Sequence, residues 1–193
     1  MHNAIDSNTV KHIENTIKPH MKKKRFQHTL GVMEAAVALA ENNGADVHKT
    51  AVAALLHDYA KDFSREELMS FVEQYKIEID PVLKQAHQLL HGKVAARIAA
   101  QQFGITDDEV LLAIEYHTTG RKGMGLIEKI IYLSDFIEDG REYPGVEALR
   151  KLASQDLDKA VLQALTNTMI YVLRTGKLLH HNTLEARNEM LMK

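Results

Sequence analysis

The chain has 193 residues, 45% of them hydrophobic, with 24 basic and 26 acidic residues and a formal net charge of -2. That length suits one large domain, residues 1–193, able to bury roughly 70% of its unfolded surface without staples, and the balanced charge gives no bulk electrostatic case for nucleic acid or a membrane surface. Cysteine is absent, which excludes disulfides, a thiolate zinc site and a cysteine nucleophile, and fits a reducing compartment.

The N-terminal MHNAIDSNTV has no apolar leader core, and no apolar run approaches ~20 residues. A cytoplasmic protein is expected. Only 3 Pro and 10 Gly interrupt a mostly helical spacing of apolar residues. Val10, Ile13 and Ile17 mark a first short helix ending near Pro19. The basic run 22–25 leads into a second, with Leu30, Met33, Val37 and Ala40 as its stripe and Gly44 as its stop. Asp46 caps a third over 47–60. Ser64 with Glu67 reads as a capping box opening a fourth, and Asp80-Pro81 starts a fifth. A sixth runs from about His91 to Gln102. Thr106 with Glu109 reads as a second capping box, for a helix ending near His117. Residues 118–125 form a loop. Helices follow over 126–139, after Gly145, and over 156–175; the tail 180–193 gives no firm assignment. On the long helix, Val161, Leu165, Met169 and Val172 suit a core or a homodimer interface equally. No segment alternates as a strand would, so the fold class is all-α.

The 11 histidines are scattered rather than clustered, a reason to look for a metal or acid–base site. His57-Asp58 follows the apolar run 51–56, where a charged carboxylate is costly to bury without a partner. Asp135 sits one turn after Ile131 and Tyr132, on a partly apolar face. The partner of either acid is a metal ion or a basic side chain. His28, His91 and His117, taken singly, read as ordinary surface or core histidines more readily than as ligands. Imidazole and carboxylate together suit Fe, Mn, Co, Ni or Zn. Lys61, one helical turn beyond His57, should point to the same side. Arg121 and Lys122 lie in the loop after His117, either as surface charges or as phosphate contacts.

The order His28, His57-Asp58, Asp135 resembles the H…HD…D signature of the HD phosphohydrolase superfamily. More narrowly, the chain resembles the YqeK-type symmetrical bis(5′-nucleosyl)-tetraphosphatases. The stretches that carry this are 25–32 (RFQHTLGV), 54–61 (ALLHDYAK), 90–92 (LHG), 113–120 (AIEYHTTG) and 131–138 (IYLSDFIE), with Arg141 and Arg187-Asn188. The HD pair alone is a weak signal; AIEYHTTG with HDYAK and LHG is specific.

The resemblance implies one all-α HD domain, with a metal-binding core over roughly 20–140 and helices of 145–193 packed on it. It implies hydrolysis of diadenosine tetraphosphate to two ADP by a metal-activated water. His28, His57, Asp58 and Asp135 would hold a divalent metal, iron first among the candidates. Asp58, Lys61, His91 and His117 would carry catalysis; in some relatives the last two help hold a second metal. Arg25, Tyr59, Ala60, Lys61 and Arg141 would join His28, Asp58, His91, His117 and Asp135 around the nucleotide. Two other readings share these residues: an HD nucleotidase or deoxynucleoside triphosphatase, and a nucleotide sensor with little turnover. Ser134 stands where such proteins often carry Ala, and 179–183 replaces a segment that often contains Pro, which leaves base contacts open.

Overall fold

A computed structural model describes residues 5–192. Met1–Ala4, which open the stretch read for a leader, and Lys193 lie outside the described residues. Among those described there are eleven α-helices, two single 3-10 turns and no strand, as the all-α expectation required. The helices are α1 Ser7–Ile17, α2 Lys23–Asn43, α3 Val47–Leu56, α4 Arg65–Gln74, α5 Pro81–Gln85, α6 Leu90–Gln102, α7 Asp108–Tyr116, α8 Leu126–Ile137, α9 Val146–Ala153, α10 Leu157–Arg174 and α11 His181–Leu191.

Most boundaries follow their local chemistry. Asp46 accepts from Lys49 N at 2.9 Å, and Asp80 from Val82 N at 2.7 Å. Ser64 and Glu67 form the reciprocal capping box. Gly44 closes α2 with φ of 71°, a conformation open to glycine at no steric cost.

Three expectations need correction, and one open assignment is filled. The third helix stops at Leu56, not at 60, because the chain turns at His57-Asp58, with Tyr59 N donating to Leu56 O and Lys61 N to Asp58 O. Asp107, not Thr106, caps α7: its carboxylate accepts from both Glu109 N and Val110 N. The tail is helical: His180 caps α11 by accepting from Asn182 N. The buried residues of α2 are Phe26, Thr29, Val32, Ala36, Leu39 and Ala40; Ala40 of the expected stripe is core, while the main row is displaced by one residue, or about 100°, from Leu30, Met33 and Val37. α2 packs on both α3 and α8, so Leu30, Met33 and Val37 flank a broad buried face instead of defining it.

The centre of the fold is α8, which touches α2, α3, α7, α9 and α10. Ile130, Ile131, Tyr132 and Leu133 are fully buried along it. An aliphatic side chain so placed stabilises the fold by about 1.5–3 kcal/mol relative to exposure. α1 lies on α3, α6 on α7, and α9 and α11 on α10. Val161 and Leu165 of α10 are core, whereas Met169 and Val172 are half-buried. One hydrophobic cluster runs from Ile13 to Ala186. No helix among the described residues is long and apolar enough to cross a membrane.

Candidate metal centre

Four imidazoles and two carboxylates converge between α2, the α3 exit, α6, the α7 exit and α8. His57 and His117 stand at the C-caps of α3 and α7. The last carbonyls of a helix have no partner within it, and each ring uses one. His57 Nδ1 donates to Ala54 O at 2.5 Å and His117 Nδ1 to Ile114 O at 2.7 Å. His91 Nδ1 donates likewise to Gln88 O at 2.6 Å. A carbonyl only accepts, so each of these three Nδ1 atoms carries a proton, and a neutral ring so held presents its lone pair at Nε2. His28 lies within α2, where the ladder occupies the carbonyls, and its Nδ1 donates instead to Glu138 Oε1 at 3.0 Å.

All four Nε2 atoms point at Asp58. Its Oδ2 is 3.7 Å from His28 and from His57; its Oδ1 is 3.1 Å from His91 and 3.4 Å from His117. The Asp58 side chain is 2% exposed, and the other three helix-end groups are at most 1% exposed. His57 Nε2 and Asp58 Oδ1 are fully buried without a hydrogen-bond partner, and buried His28 Nε2 has only Asp135 Oδ1 near it, at 3.0 Å. Lone pairs and carboxylate oxygens facing one another in a buried space call for a cation.

Basic groups meet part of that need. Arg25 Nη1 donates to Asp58 Oδ2 at 2.6 Å. Lys61 Nζ lies 3.2 Å from His91 Nε2 and 3.7 Å from Asp58 Oδ1. Arg141 Nη2 donates to Asp135 Oδ1, which is 3.0 Å from His28 Nε2. Burial works against the Asp58 charge, yet the imidazoles and Lys61 hold its pKa well below the carboxylate range. Asp135 is lowered in the same way, with His28 as the first partner against burial. Burial lowers His57 and His91 to about 4. For His28 burial is outweighed by Asp135, and the pKa rises.

Two donor sets share Asp58, each with all its donor atoms within 4.8 Å of one another: His28, His57, Asp58 and Asp58, His91, His117. Asp135 meets the first set through His28. The buried, unpartnered donors fit a divalent ion, and mixed nitrogen and oxygen donors suit a first-row transition metal. A third group, Asp80, His180 and His181, is occupied otherwise: His180 Nε2 donates to Asp80 Oδ2 at 2.7 Å while its Nδ1 accepts from Asn182 N.

A cleft of ≈ 870 Å³ opens from this centre, running from His117, Asp135 and Arg141 past Tyr143 to Tyr171 and His180. It has the size and mixed lining of a small-molecule site.

Not every expected site residue reaches the centre. The Tyr59 ring packs on Phe63 and Phe103, and the Ala60 methyl is buried in the core. Arg121 donates from Nε and Nη2 to the two oxygens of buried Glu128 and covers the Tyr116 ring. Lys61 arrives through the turn after α3, not along a helix face. Ser134 is satisfied within α8 by Ile130 O. Three contributors had no assigned role in the sequence. Glu138 holds His28. Thr118 places its hydroxyl 3.0 Å from His117 Nε2. Arg150 binds the carbonyls of Ile137, Glu138 and Arg141. Glu138 had a visible signal, an acid ending the IYLSDFIE stretch.

Residues 25–171 match the HD domain family. Two relatives named symmetrical bis(5′-nucleosyl)-tetraphosphatase come from Halalkalibacterium halodurans and Bacillus subtilis. The first is 41% identical over 92% of this chain and 94% of its own; the second is 40% identical over 83% and 86%. A crystal structure described as a "predicted HD superfamily hydrolase involved in NAD metabolism" from Clostridium acetobutylicum superposes with a TM-score of 0.91 at 41% identity. That match covers 98% of this chain and 99% of the other. The chain therefore belongs to the HD domain family and, within it, groups with the symmetrical bis(5′-nucleosyl)-tetraphosphatases.

Proposed function

We propose that this protein hydrolyses a dinucleoside tetraphosphate, diadenosine tetraphosphate, symmetrically to two molecules of ADP. The observation that carries this reading is the convergence of buried His28 Nε2, His57 Nε2 and Asp58 Oδ1, the last two unpartnered, beside Arg25, Lys61 and Arg141, at the inner end of the cleft. The relatives' names supply the substrate.

In this reading His28, His57, Asp58 and Asp135 hold one divalent ion, iron or another of Mn, Co, Ni and Zn. When bound, the ion lowers the pKa of a water and neutralises phosphoryl charge. The chain's own groups do the rest. Arg25, Lys61 and Arg141 meet non-bridging phosphate oxygens and offset the charge of the leaving ADP. His91 and His117 present Nε2 beside Asp58 Oδ1, at 3.1 and 3.4 Å, and so stand against the phosphate chain next to the ion. Lys61, with three donors beside His91, supports the leaving oxygen. The cleft holds one nucleoside half in position, and phosphoryl transfer relies on such positioning. Residues 5–192 act as one unit, since α10, which lines the outer cleft, packs on α8 and carries α11.

Product analysis with diadenosine tetraphosphate, under Fe, Mn, Co, Ni and Zn in turn, tests the reading. ADP as sole product supports it. ATP with AMP, or tight ADP binding with no turnover under any metal, overturns it; the second outcome would favour a nucleotide sensor.

A further inference from the structure

His28 is the one imidazole of the four that no carbonyl orients. Its Nδ1 is held by the carboxylate of Glu138, 110 residues away in the chain. That carboxylate is 5% exposed at residue level and is fixed on its other side, where Gly140 N donates to Oε2 at 2.6 Å. Two glycines make the space for it. A Cβ on Gly31 would stand 2.7 Å from Glu138 Oε2, and one on Gly140 would stand 2.9 Å from the same atom. Gly31 lies three residues after His28, so the face of α2 that carries the ring also carries the gap for its partner. Neither glycine has a positive φ, so close approach, not backbone conformation, is what calls for glycine there. The backbone of the turn is fixed in turn by Arg150, whose Nη2 donates to Glu138 O at 2.7 Å and Arg141 O at 3.0 Å, and whose Nε donates to Ile137 O at 2.8 Å.

We propose that Glu138 is a positioning residue for the metal centre: it fixes the His28 ring so that Nε2 is delivered as a metal donor, with Gly31 and Gly140 as its socket. This rests on the reading of His28 as a metal ligand. A carboxylate on the remote nitrogen sets the tautomer and raises the basicity of a ligating imidazole, and removing such a partner typically weakens metal binding about 10–100-fold. Ala at 31 would push the carboxylate aside while leaving it in the chain, so Gly31→Ala should mimic its removal.

The test is Mn²⁺ titration of the purified full chain, read by loss of the free-ion electron paramagnetic resonance signal, with circular dichroism reporting fold content. Glu138→Ala should weaken Mn²⁺ binding about 10–100-fold. Glu138→Gln, which keeps an acceptor for the Nδ1 proton but loses the charge, should recover part of it. Gly31→Ala should weaken binding in the natural background and do nothing further in Glu138→Ala, where no carboxylate is left to displace. Unchanged affinity in Glu138→Ala, or equal losses from Gly31→Ala in both backgrounds, overturns the positioning role. Wild-type protein that takes up no Mn²⁺, and none of the other four metals, overturns the ligand reading beneath it.

Discussion

Arg25 Nη1 meets Asp58 Oδ2 at 2.6 Å, joining the first turn of α2 to the turn after α3. The guanidinium covers one oxygen of the carboxylate while the other faces His91 and His117. Asp58 is thus the common point of both donor sets. Asp58→Ala should abolish metal retention and hydrolysis while far-UV circular dichroism stays close to wild type. Metal analysis and a turnover assay on the same sample check this; wild-type turnover by the variant would refute the site.

Lys61 is partly exposed yet reaches both His91 and Asp58. Lys61→Met should lower kcat about 10²–10³-fold, the usual loss when one donor to developing charge is removed. Its melting temperature should move little, because an exposed ammonium contributes at most about 1 kcal/mol. Kinetics and a thermal melt separate the two effects.

Arg121 sits in the same loop as Thr118 but faces the other way, closed on buried Glu128. Arg121→Ala should cost about 2 kcal/mol, since it leaves a buried carboxylate with only Gly125 N as donor, and lower the melting temperature by roughly 4–8 °C. KM for the nucleotide should remain within about twofold. A selective rise in KM would restore Arg121 as a phosphate ligand.

His180 bridges α5 and α11 through Asp80 and forms part of the cleft wall. His180→Ala should loosen the segment ahead of α11 and raise KM with kcat little changed, the pattern of lost uniform binding. Steady-state kinetics decide; a loss confined to kcat would place His180 in the chemistry instead.

Stability of the metal-free protein should fall as pH drops from about 6.5 towards 4. Burial lowers His57 and His91 to about 4 in the folded state, so across that window the unfolded chain, with pKa near 6.5, binds more protons and is favoured. His28 has the opposite sign. Its raised pKa adds stability below 6.5 that is lost as pH rises through its folded value. A melting temperature falling on the order of 10 °C between pH 6.5 and 4.5 is expected; a flat profile over that range would mean the two rings are not buried neutral.

The central part of this site was legible because its signals are local. Asp58 and Asp135 each follow apolar residues, which makes a charged partner necessary, and the HD pair is contiguous. Glu138 and His180 were not legible in that way. Their partners lie 110 and 100 residues away, and neither end of such a contact announces the other. The end of α3 was missed for a related reason: no Gly or Pro stops it, and the chain turns where His57 takes a helix-end carbonyl. α11 escaped because its innermost residues are Thr183 and Ala186, a pair too small and too polar to mark a stripe.

His57, His91 and His117 each bond a carbonyl three residues earlier in their own segment. Each ring is therefore aimed by a main-chain carbonyl, a group that every residue type carries. The surface and even much of the core can drift in sequence without redirecting these three nitrogens. His28 has no such insurance, and the inheritance of its aim depends on three side-chain identities at once: Glu138, Gly31 and Gly140.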